Sequence, residues 1–309
     1  MNNINFRRPN HAATITLLAL AAASSAALAE TPAPNKGMDY LSVDTQADTQ
    51  HNQQVLATGS VTVGRHAWVQ AGLGKSRSDQ TAERAGARHP GIATVGAGVA
   101  SKHWQLAVNA SQRSDGSRYR QTDVGSSLDW RNDVGRVGVD LTHRRASQSG
   151  TVAVDGSTVP AQARLSGNGV GLHGALQLSE HVSVYGALVR NHYESSIRPT
   201  DPATPGGPLG SLPVHGRALF GAPSVVNLDE VALDHSALVG ATYRWAKVAV
   251  SGEYQAGQVH DGGGAMRSVN LKAAIDVAPG WRVAPGIGRG SSDQGGRATF
   301  ASLSAMYGW

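Results

Sequence analysis

The sequence predicts an all-β protein, a transmembrane antiparallel up-and-down β-barrel of about fourteen strands, with short turns at one end and longer loops at the other. Three observations predict it. After residue 36 apolar and polar residues alternate with period two, and the helical period is absent. Short and long connections take turns along the chain, as they do in a membrane barrel but need not in a soluble sandwich. All six tryptophans lie within a few residues of a short turn or of the C-terminus.

Composition narrows the function classes. The 309 residues include 38 Gly and no Cys, and 16% are charged. Without cysteine there is no disulfide framework, thiolate metal site or thiol nucleophile. No His spacing resembles a zinc site, and neither a metal nor a cofactor is expected. The first elements are an address. Arg7 and Arg8 precede the apolar run Ala12 to Ala23, and Ala27-Leu28-Ala29 closes it. That order reads as a secretory signal peptide over residues 1–29, leaving 30–309 as the barrel domain. Removing the two arginines lowers the net charge from +5 to about +3. With no basic helix or stripe, no nucleic-acid partner is expected. No apolar run of about 18 residues follows, so no transmembrane helix is expected.

Strands are then placed in order at 37–46, 53–64, 67–76, 91–100, 103–112, 120–130 and 134–146. The second half follows at 166–178, 181–193, 231–245, 247–258, 266–277, 281–290 and 297–309. The alternation is plain in Trp104, Leu106, Val108 and Ala110, in Val137, Val139 and Leu141, and in Val269, Leu271, Ala273 and Ile275. Each segment supplies about the 9–11 residues that a tilted strand needs to cross. The first is the weakest, because 44–54 is polar throughout; twelve strands is the alternative count. Short turns are placed near Arg65-His66, Ser101-Lys102, Asn132-Asp133, Ser179-Glu180, Ala246-Lys247 and Pro279-Gly280. Longer connections are placed at 77–90, 113–119, 147–164, 195–229, 260–265 and 291–296. Trp68, Trp104, Trp130, Trp245, Trp281 and Trp309 then form an aromatic girdle at one membrane interface. Trp68 fits least, since it falls on the face opposite Val69, Ala71 and Leu73.

The C-terminus adds a resemblance. Ser302, Tyr307 and Trp309, in the run Ser302-x-Ser304-x-x-Tyr307-x-Trp309, resemble the terminal-strand signature of Gram-negative outer-membrane β-barrel proteins. Ser304 stands where that signature usually has Gly. The resemblance implies recognition by the barrel assembly machinery and a location in the outer membrane. The size is similar to that of small monomeric porin-like barrels, which implies a monomer among outer-membrane lipids and lipopolysaccharide.

The polar face should line the lumen. Its charged residues are Arg113, Asp123, Asp129, Arg136, Asp140, Arg144, Asp234, Arg244, Glu253, Lys272, Asp276 and Arg282, with His173 beside them. Six basic and six acidic groups predict weak ion selectivity, because a ring of one sign is what sets a strong preference. The lining reads either as the wall of a water-filled channel for small hydrophilic solutes or as charges that satisfy one another. The segment 195–229, rich in proline and carrying apolar residues, is a candidate constriction or a surface loop. Arg77, Arg84, Arg88, Arg118 and Arg120 lie at the outer end, where they could meet lipopolysaccharide phosphates. Two other classes stay open: an outer-membrane enzyme acting on lipid or peptide, and a surface adhesion or export barrel. For the enzyme, Asp234-His235-Ser236 fails because strand neighbours face opposite ways. His181 with Ser183, and Asp229, Glu230 and His260, are the remaining acid/base candidates.

Overall fold

The computed structural model describes residues 39–77, 89–116, 118–154, 157–199, 232–260, 264–293 and 296–309. The expected signal segment 1–29 and its expected cleavage boundary lie outside these residues. Fourteen antiparallel strands follow one another: β1 (Tyr40–Asp48), β2 (Gln53–Val63), β3 (Ala67–Arg77), β4 (Gly91–Ala100), β5 (Trp104–Ser114), β6 (Tyr119–Arg131) and β7 (Gly135–Val154). Then come β8 (Ser157–Gln177), β9 (Val182–Pro199), β10 (Leu233–Trp245), β11 (Val248–Val259), β12 (Ala265–Ala278), β13 (Trp281–Ser292) and β14 (Gly296–Gly308). Each strand pairs with the next and β1 pairs with β14, so the sheet closes into a barrel. Closure leaves no unpaired edge, the condition a sheet must meet in hydrocarbon. An even strand number puts Tyr40 and Gly308 at the same end, which is also the end of the tight turns; we call it the inner end.

Alternation assigns the two faces. On β7, Val137, Val139 and Leu141 project outward and are 41–56% exposed, while Gly138 between them is buried. Leu106 and Val108 on β5, Leu172 on β8, Val269 and Leu271 on β12, and Leu303 on β14 project outward in the same way. So much exposed Val and Leu around a closed sheet would be unfavourable in water by about 25 cal/mol per Å². Facing lipid, it is the surface a membrane barrel requires.

Four segments differ from the sequence-based expectation. β1 continues through the polar stretch to Asp48, because Ser42, Asp44 and Gln46 point inward, where polarity is tolerated. Its turn is fixed by the Asp48 carboxylate, which accepts the backbone N–H groups of Gln50 and Asn52 at 2.8 and 3.0 Å. The expected loop 147–164 is largely strand. β7 and β8 pair without a break out to Val154 and Ser157, and β9 follows β8 to Pro199. The outer connections 115–118 and 293–295 are as short as the inner turns. The longest ones join β3 to β4 and β9 to β10.

The inner wall is packed by pairing glycine with a larger neighbour. A side chain at Gly98, Gly240 or Gly288 would run into Trp68, Tyr185 or Phe300 on the adjacent strand. Large residues therefore lie along the wall instead of projecting across the lumen. Tyr185, Leu238, Met266, Ala298 and Phe300 form an apolar cluster on the β9–β14 side. Small and charged lining residues alone do not describe this interior.

Candidate functional site

The lumen is the candidate site, and its polar groups are positioned by strand parity. The thirteen lining residues expected from sequence all stand at inward positions. They divide into local networks. His173 on β8 reaches Asp129 on β6 at 2.7 Å through Nε2 and Asp140 on β7 at 2.7 Å through Nδ1. It can do so because the intervening position on β7 is Gly138, and a Cβ there would collide with both His173 and Asp129. Both ring nitrogens face carboxylate oxygens, so the ring is held between two strands by its two neighbours.

A second network lies nearer the outer end. The Tyr119 hydroxyl donates to Gln121, whose amide donates to Asp123, and Asp123 accepts from Arg144 Nε at 2.6 Å. Asp276 and Arg282 pair at 2.7 Å near the inner end, and buried Glu253 accepts from the Tyr185 hydroxyl at 2.7 Å. Arg113 is buried on β5, Arg136 and Lys272 are half-buried, and Arg244 is exposed at the inner end. Asp234 stands at a register shift in β10 and pairs with His260 Nδ1 at 2.7 Å.

Several lining groups escaped the sequence reading. Asp44 accepts from the Ser304 hydroxyl across the β1–β14 closure, and Arg131 donates to the Ser101 carbonyl at the inner mouth. Parity counted from Leu41 and from Trp130 would have found both. Asn109 and Thr142 are exposed, although Val108 and Leu141 beside them take the outward face. Their exposure is therefore to space inside the barrel, midway along β5 and within the crossing part of β7.

Five tryptophans, Trp104, Trp130, Trp245, Trp281 and Trp309, are 38–71% exposed at the inner ends of their strands or at the C-terminus. Trp104 and Trp130 are register partners. Tyr307 sits between Trp281 and Trp309, with ring centroids 4.9 and 5.9 Å away. Trp68 is the correction: it points inward, with its indole over Gly98, so it is not part of the outward band. Its parity matches Gln70 and Gly72 on the inner face. In the terminal strand Ser302 faces the lumen and Tyr307 faces outward.

The acid/base candidates are not brought together as a triad. Asp234 and Ser236 take the inward positions while His235 is exposed on the outward one. His181 lies in the inner turn, 6.1 Å from outward Tyr243, whereas Ser183 is buried in the wall, so the two share no face. His260 pairs with Asp234 and packs against Tyr193 at 5.4 Å at the outer mouth. Asp229, Glu230, Arg84, Arg88 and the expected constriction within 200–229 lie outside the described residues.

No family model and no curated protein matches the sequence. Solved structures do match. The CymD monoaromatic hydrocarbon channel is 10% identical, with a TM-score of 0.54 and coverage of 89% of each chain. The deltaS2 mutant of the TodX monoaromatic hydrocarbon channel is 13% identical, with a TM-score of 0.50, and the match covers 91% of this chain and 92% of that one. The translocator domain of the autotransporter NalP from Neisseria meningitidis is 11% identical, with a TM-score of 0.47 and coverage of 93% and 92%. The likeness is one of fold. With its closed fourteen-strand sheet, its apolar belt and its aromatic inner band, the chain folds as a membrane-spanning β-barrel.

Proposed function

We propose that the barrel is a passive, weakly selective channel for small hydrophilic solutes. The observation that carries this reading is the exposure of Asn109 and Thr142 on the inward face at mid-barrel. An inward residue of a filled barrel is buried by its neighbours, whereas these two border accessible space. The surrounding wall is polar and carries charged groups, several of them paired, which favours water over an apolar filling. A barrel of fourteen strands falls between the small filled ones and the wide porins, so a narrow aqueous path is the size that fits. In this reading the chain acts as a monomer. Lipid surrounds its apolar belt, Arg77, Arg118 and Arg120 meet lipopolysaccharide at the outer end, and the assembly machinery reads Ser302, Tyr307 and Trp309.

Planar bilayer recording of the folded protein tests the reading. Discrete, reproducible, ohmic current steps are expected in simple salt. Folded barrel that inserts and passes no current would refute it.

A further inference from the structure

One row of the inner wall carries no charge. In register across seven strands stand Gln70, Gly96, Asn109, Gly125, Thr142, Gly169 and Asn191. An amide or hydroxyl alternates with glycine from β3 to β9. The amides lie along the wall over the glycines: a Cβ on Gly96 would come within 2.8 Å of Gln70 Nε2, and one on Gly125 within 2.5 Å of Asn109 Oδ1. Strands in a barrel are tilted, so a row of register partners climbs as it goes round. This one starts low on β3, beside Trp68 at the inner mouth, and ends high on β9 at Asn191. Asn109 and Thr142 are exposed to the lumen. On the row above, Arg144 pairs with Asp123, and Asp140 on the row below pairs with His173 one row further in.

We propose that this row is a binding track for neutral, polyhydroxylated solutes, carbohydrates by chemical class, with Trp68 as its aromatic platform at the inner mouth. The proposal rests on the channel reading and names the solute class it serves. Amide and hydroxyl side chains each both donate and accept, which matches the hydroxyls of a sugar. The track adds no charge that a neutral solute would have to desolvate. Equivalent groups repeated strand after strand let a solute leave one set while meeting the next, as conduction requires of its sites. The half-buried indole, edged over Gly98, offers an apolar ring to the C–H face of a pyranose.

Single-channel recording of the full-length folded barrel, with maltohexaose added, tests the track. Concentration-dependent interruptions of the current are expected, and polyethylene glycol of similar size should cause markedly fewer. Trp68→Ala should weaken the block about three- to tenfold, and Trp68→Phe should restore most of it. Asn109→Ala, which leaves the aromatic in place, should weaken the block separately. Trp104→Ala on the lipid face should leave it unchanged. If the channel conducts but the sugar interrupts it no more than polyethylene glycol does, the track is overturned and the channel reading stands. If Trp68→Ala and Asn109→Ala both block like the parent, the site is overturned too. If no current flows at all, the channel reading fails and the track falls with it.

Discussion

Gly138 decides what His173 can do. The imidazole spans from β8 to β6 only because the strand between them presents no side chain. The same substitution should therefore have opposite consequences on the two faces of the sheet. Gly138→Val puts a branched side chain into the atoms of His173 and Asp129, and overpacking of this kind destabilises by about 1–3 kcal/mol. Gly252→Val on the lipid face meets open space and gains a strand-favouring residue, so it should be neutral or slightly stabilising. Urea unfolding of the reconstituted barrel, followed by gel mobility of folded and unfolded forms, checks both. Equal effects at the two sites would mean that Gly138 is not holding the bridge open.

A strand is the smallest unit that carries the inside–outside distinction, and β7 shows it in adjacent residues. Leu141 faces lipid and is 56% exposed, while Thr142 faces the lumen. Leu141→Arg should cost about 2–4 kcal/mol of stability, the penalty for a cation on the lipid face near the midplane. Thr142→Arg should fold normally and lower single-channel conductance, because its charge stays in water and fills part of the path. A stability loss at residue 142 matching that at 141 would contradict the assigned parity. This period is also why so much of the fold was legible: alternation and turn residues placed fourteen strands, most within a few residues of their ends. The misplaced pieces share a cause. Residues 147–164 are polar, small and β-branched, which reads as a loop when every crossing strand is apolar on one side. A strand that outruns the membrane needs no lipid-facing side chains, and the Asp155-Gly156 pair between Val154 and Ser157 was the hairpin signal that marked it. Trp68 was drawn to the girdle by its place in the sequence although its parity said inward. The apolar cluster around Met266 and Phe300 was not legible, because residues from β9 to β14 meet there only once the sheet closes.

At the scale of the whole barrel, ion selectivity depends on the sum of the inward charges and on how they are paired. Among the described residues, Asp44, Asp48 and Arg131 also stand at inward positions, so the balance expected from sequence shifts by only one charge. Matched pairs cancel at short range, and what a passing ion meets is the residue of that cancellation, screened within about 8–10 Å at ordinary salt. The Arg144–Asp123 pair is the clearest lever, because both side chains are about one-fifth exposed and so can be felt from the lumen. In a tenfold KCl gradient the parent channel should give a reversal potential close to zero. Arg144→Ala releases the Asp123 carboxylate and should move the potential toward cation preference. Asp123→Asn releases the guanidinium and should move it toward anions, and the double variant should return near the parent. The shifts should shrink as salt rises, since they act through screened lumen charge rather than through a change in barrel shape. Single variants that leave the reversal potential untouched in low salt would mean that ions do not pass this pair.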